Sequence, residues 1–147
     1  MLTRSVGVLL LALSFGAGQD ARRLSLRERA EKGDPEAQFN LAKNYEAGRG
    51  GLKKDYAEAQ RWYLRAADQG DPFAQASLAL LFRFGKGVAR DYVEAYKWFY
   101  LAASRTTGSD QESILELRDS TAARMTGEQL AEASRLAREW KPKPKTE

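Results

Sequence analysis

The chain repeats itself. Gly33-Asp34-Pro35-Glu36-Ala37-Gln38 returns at an offset of 37 as Gly70-Asp71-Pro72-Phe73-Ala74-Gln75, and Leu41, Tyr45, Gly48 and Gly50 fall on Leu78, Phe82, Gly85 and Gly87. After one additional residue, Gly51, the offset becomes 36. Asp55-Tyr56, Glu58-Ala59, Trp62-Tyr63 and Ala66-Ala67 then align with Asp91-Tyr92, Glu94-Ala95, Trp98-Phe99 and Ala102-Ala103. A period of this length marks one supersecondary unit that buries its apolar face only by stacking on its neighbours. An all-α chain of about seven helices is expected.

Each unit carries start and stop signals for two helices. Asp34 and Asp71 can accept from backbone N–H groups as N-caps, with Pro35 and Pro72 at the first helical position, where a missing N–H costs nothing. Gly48 and Gly85 suit the left-handed residue that ends a helix. The second helix opens with Asp55-Tyr56-Ala57-Glu58 or Asp91-Tyr92-Val93-Glu94, which reads as a reciprocal capping box. Along it Ala59, Trp62, Tyr63 and Ala66, and in the copy Ala95, Trp98, Phe99 and Ala102, recur every three or four residues as a buried stripe requires. The tryptophans are therefore assigned to packing rather than to a stacking platform.

The flanks complete the stack. Leu26 and Ala30 occupy the places of Tyr63 and Ala67, so residues 21–32 read as a leading half-unit. Repeat 1 covers about 33–69 and repeat 2 about 70–105. A degenerate closing pair spans 110–140, with Gly108 and Ser109 read as breakers before a helix over 110–124. Thr126-Gly127-Glu128-Gln129 caps a last helix that ends at Trp140. Residues 141–147, where Pro142 and Pro144 alternate with lysines, read as a disordered tail.

Residues 1–20 carry Arg4, the apolar run from Val6 to Phe15 and the small residues Gly16, Ala17 and Gly18. This order is that of a secretory signal peptide over 1–18, cut near Gln19. The run is too short for the roughly 20 residues that span a bilayer. Export to the periplasm or the exterior is the expectation, with no membrane span. The chain has neither cysteine nor histidine, so disulfides, thiolate or imidazole metal sites and histidine-assisted nucleophiles are excluded. No cofactor is expected. Net charge is +4, but the basic residues alternate with acids along the helices, and nucleic acid is not an expected partner.

The repeated positions resemble the Sel-one-like repeat, a relative of the tetratricopeptide repeat. The resemblance rests on Gly-Asp-x-x-Ala-Gln, Leu41, Tyr45, Gly48-x-Gly50, Asp55-Tyr56-x-Glu58-Ala59, Trp62-Tyr63 and Ala66-Ala67, and covers about 24–103. Residues 122–129 and 138–140 are similar to the closing helices of bacterial members. Gly51 is an insertion, Ala42 and Ala79 stand where glycine is common, and Gly127 stands where proline is common. The resemblance implies an α/α solenoid, a tetratricopeptide-like right-handed superhelix, acting as a non-catalytic adaptor that binds another protein, often at the bacterial envelope.

The binding surface must come from residues facing away from the buried stripe. In the first helix of repeat 1 these are Glu36, Asn40, Lys43 and Ala47; in repeat 2 they are Phe73, Ser77, Leu80 and Phe84, so that helix is apolar nearly all round. Such a face has to be covered by something. The helix over 110–124, through Ile114 and Leu117, is one candidate; a protein partner, with Arg83 pairing to its acids, is the second; a homodimer is the third. The expected groove is Glu36, Asn40, Lys43, Phe73, Ser77, Leu80, Arg83 and Phe84. Two other classes compete. A cell-wall enzyme would need paired acids, yet Asp34, Asp55, Asp71, Asp91, Glu58 and Glu94 have capping roles. An accessory carbohydrate-binding protein would need Tyr96 and Tyr100 side by side on the surface.

Overall fold

The computed structural model describes residues 24–145. Among them lie seven α-helices and no strand: α1 (Leu26–Glu31), α2 (Pro35–Ala47), α3 (Tyr56–Asp68), α4 (Pro72–Phe84), α5 (Tyr92–Ala103), α6 (Gly108–Ala122) and α7 (Gly127–Glu139). The expected signal peptide lies outside the described residues, as do 146–147 of the tail. Among the described residues no helix is long and apolar enough to cross a membrane.

The caps act where the repeat puts them. Asp34 Oδ1 accepts from the backbone N–H of Glu36 at 3.0 Å, Asp71 Oδ1 from Ala74 at 2.8 Å, and Asp55 and Asp91 from Glu58 and Glu94, both at 3.0 Å. Gly48 and Gly85 close α2 and α4 at φ of 66° and 64°. The reciprocal box expected at Asp55 and Asp91 is only half made. Glu58 turns instead to Arg61 at 2.8 Å, and Glu94 to Lys97 at 2.7 Å and to the Trp98 indole N–H at 3.1 Å. Each N-cap N–H is already taken, donating from Asp55 to Tyr45 O at 2.8 Å and from Asp91 to Phe82 O at 2.9 Å, which leaves each glutamate to the cation one turn on. Complete boxes form at Ser25 with Glu28 and at Thr126 with Gln129.

Small and large residues alternate through the core. Ala30, Ala37, Ala42, Ala59, Ala66, Ala67, Ala74, Ala79, Ala95 and Ala102 are fully buried, which lets neighbouring helices approach closely. Trp62, Tyr63, Trp98 and Phe99 fill the remaining space and are buried too. Burial of each such side chain contributes about 1.5–3 kcal/mol. Every helix from α1 to α5 packs on its successor, α5 also packs on α6, and α7 passes over α6 to lie on α5. This neighbour-to-neighbour stacking is that of an α/α solenoid.

The closing pair keeps the repeat's register more closely than its sequence suggests. Gln38 Nε2 donates to Ala30 O and Gln75 Nε2 to Ala67 O, each at 3.1 Å. Gln111 Nε2 donates to Ala103 O at 2.9 Å in the same way. Each glutamine satisfies a carbonyl near the end of the preceding helix. Gln111 thus makes α6 a third first helix, and α6 begins at Gly108 instead of at Asp110. Beyond α7, Trp140 meets Trp98 edge-on with ring centroids 6.1 Å apart. Residues 141–145 run on extended, and Lys143 bonds the C-terminal end of α3, its backbone N–H to Asp68 O at 2.7 Å and its Nζ to Asp68 Oδ2 at 2.8 Å.

Candidate protein-binding surface

A second face of α4 runs through Phe73, Ser77, Leu80 and Phe84, four positions at helical spacing over about 16 Å, exposed at its two ends and closed in the middle, where Ser77 faces the Tyr63 hydroxyl. Phe73 is 47% exposed and Phe84 58%, the two exposed large apolar side chains among the described residues. Ser77 and Leu80 are half-buried, and Leu80 leans on the core. Of the occupants considered, α6 does not cover this face. Its Ile114 enters the core, Leu117 packs beside it, and α6 lies chiefly on α5.

Arg83 is not free to reach a partner in the manner expected. Its Nη1 donates to Leu117 O at 3.2 Å and to Ser120 Oγ at 2.7 Å, binding the end of α4 to α6. Its guanidinium also lies 5.4 Å from the Phe84 ring centroid. Arg83 therefore first orders the edge of the surface, and only its remaining N–H groups face outward.

On α2, Glu36 and Lys43 are exposed and Asn40 is half-buried. The residue sequence reasoning missed is Phe39. Its ring lies 5.8 Å from Tyr63 and 6.4 Å from Phe73, with Lys43 Nζ 5.4 Å above it. Phe39 thus joins the core to the exposed Phe73 and makes α2 and α4 one continuous surface. Beneath it, Tyr63 donates to Glu46 Oε2 at 2.6 Å. Burial, followed by that carboxylate, pushes the phenol well above its ordinary range, so it stays a neutral donor.

The same cap is tuned differently in the two repeats. At Asp34, burial raises the carboxyl, but hydrogen bonds from Arg29 and from the backbone of Ala37 and Glu36 outweigh it, and the value falls below the usual range. At Asp71, burial prevails over the backbone hydrogen bonds, helped by the charge of Glu36, and the value rises. Tyr96 and Tyr100 stand with ring centroids 6.4 Å apart, but both are half-buried and Trp98 is in the core. They offer no open stacking platform.

A sequence model of the Sel1 repeat matches residues 35–71 and 72–106. The chain is 33% identical over 77 residues to the ERAD-associated E3 ubiquitin-protein ligase component HRD3A of Arabidopsis thaliana, a match covering 52% of this chain and 11% of that protein. It is 54% identical over 37 residues to the localization factor PodJL of Caulobacter vibrioides, covering 25% of this chain and 4% of the other. These curated relatives are far longer than the stretch they share with it. Among solved structures, c5321, a protective antigen of uropathogenic Escherichia coli displaying an SLR fold, superposes with a TM-score of 0.71 at 37% identity over 78% of this chain and 24% of its own.

Proposed function

Because the chain is a Sel1-repeat protein, we propose that it is a non-catalytic protein–protein interaction module, an adaptor of the bacterial envelope that holds a partner against the first helices α2 and α4. One observation carries this reading: Phe73 and Phe84, 47% and 58% exposed, sit on a single face of α4, where Phe39 of α2 meets one side of Phe73 and much of both rings is left to solvent. Large aromatics left in water at that spacing forgo burial energy, and aromatic anchors near arginine dominate the energetics of protein interfaces. The relatives' descriptions, a ligase component and a localization factor, are in keeping with a part in assemblies. Export rests on the order of Arg4, the apolar run and the small residues before Gln19; mass spectrometry of the mature chain tests it, and an intact Met1 terminus refutes it.

For the surface itself, a photo-crosslinking amino acid is placed at Ser77 and, in a control, at Arg61 on α3, whose side chain is 70% exposed. In cells, Ser77 is expected to trap a discrete partner that Arg61 does not, and Phe73→Ser is expected to abolish the product while circular dichroism stays helical. Identical products from both positions, or a product indifferent to Phe73→Ser in a folded chain, refute the surface. A product at the mass of two copies of this chain makes the homodimer the occupant.

A further inference from the structure

At the far end of the α4 face, three guanidinium groups from separate elements converge. A cleft of about 150 Å3 is lined by Arg83 and Phe84 from α4, Arg90 and Tyr92 from the start of α5, and Arg124 from the turn between α6 and α7. No carboxylate lines it. We propose that this cleft receives a carboxylate side chain from an acidic segment of the partner, whose neighbouring apolar residue rests on Phe84. The proposal builds on the interaction reading above and assigns the chemistry of what binds there.

The three arginines differ from many others in the fold. Arg27, Arg29, Arg61, Arg118 and Arg135 each pair with a carboxylate of this chain. Arg83, Arg90 and Arg124 pair with none among the described residues. Arg83 is aimed by Leu117 O and Ser120 Oγ, and Arg90 lies 5.6 Å from the Tyr92 ring centroid. A guanidinium held against an aromatic ring keeps its edge N–H groups available, the geometry that receives a carboxylate in two parallel hydrogen bonds. Three positive charges gathered around one cleft also repel each other, and an incoming anion relieves that repulsion. The volume is several times the roughly 30 Å3 share of a water molecule, enough for a carboxylate head.

A phosphate would satisfy the arginines as well, but it has no use for Phe84. That ring forms the rim of the cleft and is the most exposed large apolar group of the described chain. It is also continuous with Leu80, Ser77 and Phe73. A chain that lies along this face with an acid at one end matches both chemistries at once, which favours a peptide over an isolated anion.

The test uses two fluorescein-labelled, end-capped peptides, one alternating glutamate with leucine and one alternating glutamine with leucine, titrated by anisotropy with the chain beginning at Gln19. The glutamate peptide is expected to bind at least about tenfold more tightly, with affinity falling as salt rises. Arg90→Gln and Arg124→Gln, both outside the Arg83 contact with α6, are each expected to weaken it by about five- to tenfold without loss of helicity. Equal binding of the two peptides, or indifference to both arginine substitutions, overturns the proposal. So does displacement of the peptide by inorganic phosphate where sodium chloride of equal ionic strength fails, which would make the cleft a phosphate site. Phe73→Ser separates this from the interaction reading. Partner crosslinking lost in Phe73→Ser while the unaltered chain binds no peptide defeats the cleft alone, and peptide binding that needs the arginines beside crosslinking indifferent to Phe73 defeats the wider surface alone.

Discussion

Gly87 is the residue on which the stacking of the two repeats most directly depends. A Cβ there would lie 2.4 Å from the carbonyl carbon of Tyr56, in the first turn of α3, and the backbone stands at φ of 71°. The loop of repeat 2 therefore meets the second helix of repeat 1 backbone to backbone at Gly87, with Lys86 Nζ 5.4 Å from the Tyr56 ring centroid beside it. Gly87→Ala is expected to destabilise the chain by about 2–4 kcal/mol, from strain at positive φ plus displacement of backbone, and urea unfolding will measure it. The two aspartate caps make a second prediction. The folded pKa of Asp34 lies below its unfolded value, so its contribution is complete above about 3.9 and drains away as pH falls through the lower folded value. The folded pKa of Asp71 is raised, so its ionised form carries a cost that is relieved as pH falls through that raised value. Carboxyl NMR should find Asp34 titrating below Asp71. At pH 7, Asp34→Asn loses the 2.6 Å contact with Arg29 and should cost under about 1 kcal/mol, discounted because both partners are partly exposed. Asp71→Asn keeps a capping oxygen and should be neutral or slightly stabilising.

Both ends of α2 and α4 were legible because Asp-Pro opens each helix and a left-handed glycine closes it, and the starts of α3 and α5 because Asp55 and Asp91 cap them; capping chemistry is local. The start of α6 was not. Gly108 and Ser109 look like breakers, and Gly108 does stand at a left-handed φ of 64° at the first residue of the helix, with Gln111 one turn on donating to Ala103 O at 2.9 Å. The signal was present, since Gln111 stands where Gln38 and Gln75 stand, but recognising it requires knowing that those glutamines bond the preceding helix. Phe39 escaped for the opposite reason: its counterpart is Ala76, so comparison of the repeats hides it. Helical spacing puts Arg83 beside Phe84, but it cannot say that Leu117 and Ser120 come within reach. The glutamine series also shows where the copies differ. Gln38 Oε1 accepts from Gln69 Nε2 at 2.8 Å. The position matching Gln69 in repeat 2 is Arg105, which lies 4.9 Å from the Trp140 ring centroid, and the buried Gln75 Oε1 has no hydrogen-bond partner among the described residues. Gln75→Leu deletes that orphan oxygen but also removes one donor from Ala67 O, which keeps the Gly70 N–H at 2.9 Å. The two effects oppose each other, and the net change in urea unfolding should stay within about 1 kcal/mol, with any faster amide exchange concentrated at the junction of α3 and α4.

At the scale of the whole molecule, contacts run almost entirely between successive helices, so stability is a chain of nearest-neighbour terms rather than the property of one shared core. The exception is α5, which meets α4, α6 and α7. Phe99 on α5 is fully buried, and Leu41 on α2 is 4% exposed. Both are core residues, but they hold different amounts of the structure. Leu41→Ala opens a cavity among α1, α2 and α3 at a cost of about 2–5 kcal/mol. Because α1 has only six residues and packs on α2, that loss should fall on the front of the stack. Hydrogen exchange is expected to quicken across α1 and α2 while α5 to α7 keep their protection. Phe99→Ala costs about 3–5 kcal/mol on the helix that carries three interfaces, and should release α6 and α7 together with the α4 surface that Arg83 ties to α6. Uniform loss of protection in both variants would mean that the chain unfolds as a single cooperative unit, against the nearest-neighbour view. The contrast also bears on binding, since the cleft at Arg83, Arg90 and Arg124 is assembled from three elements that α5 holds in place. Phe99→Ala should therefore impair a ligand at that cleft without touching any residue that lines it, whereas Leu41→Ala should leave it intact.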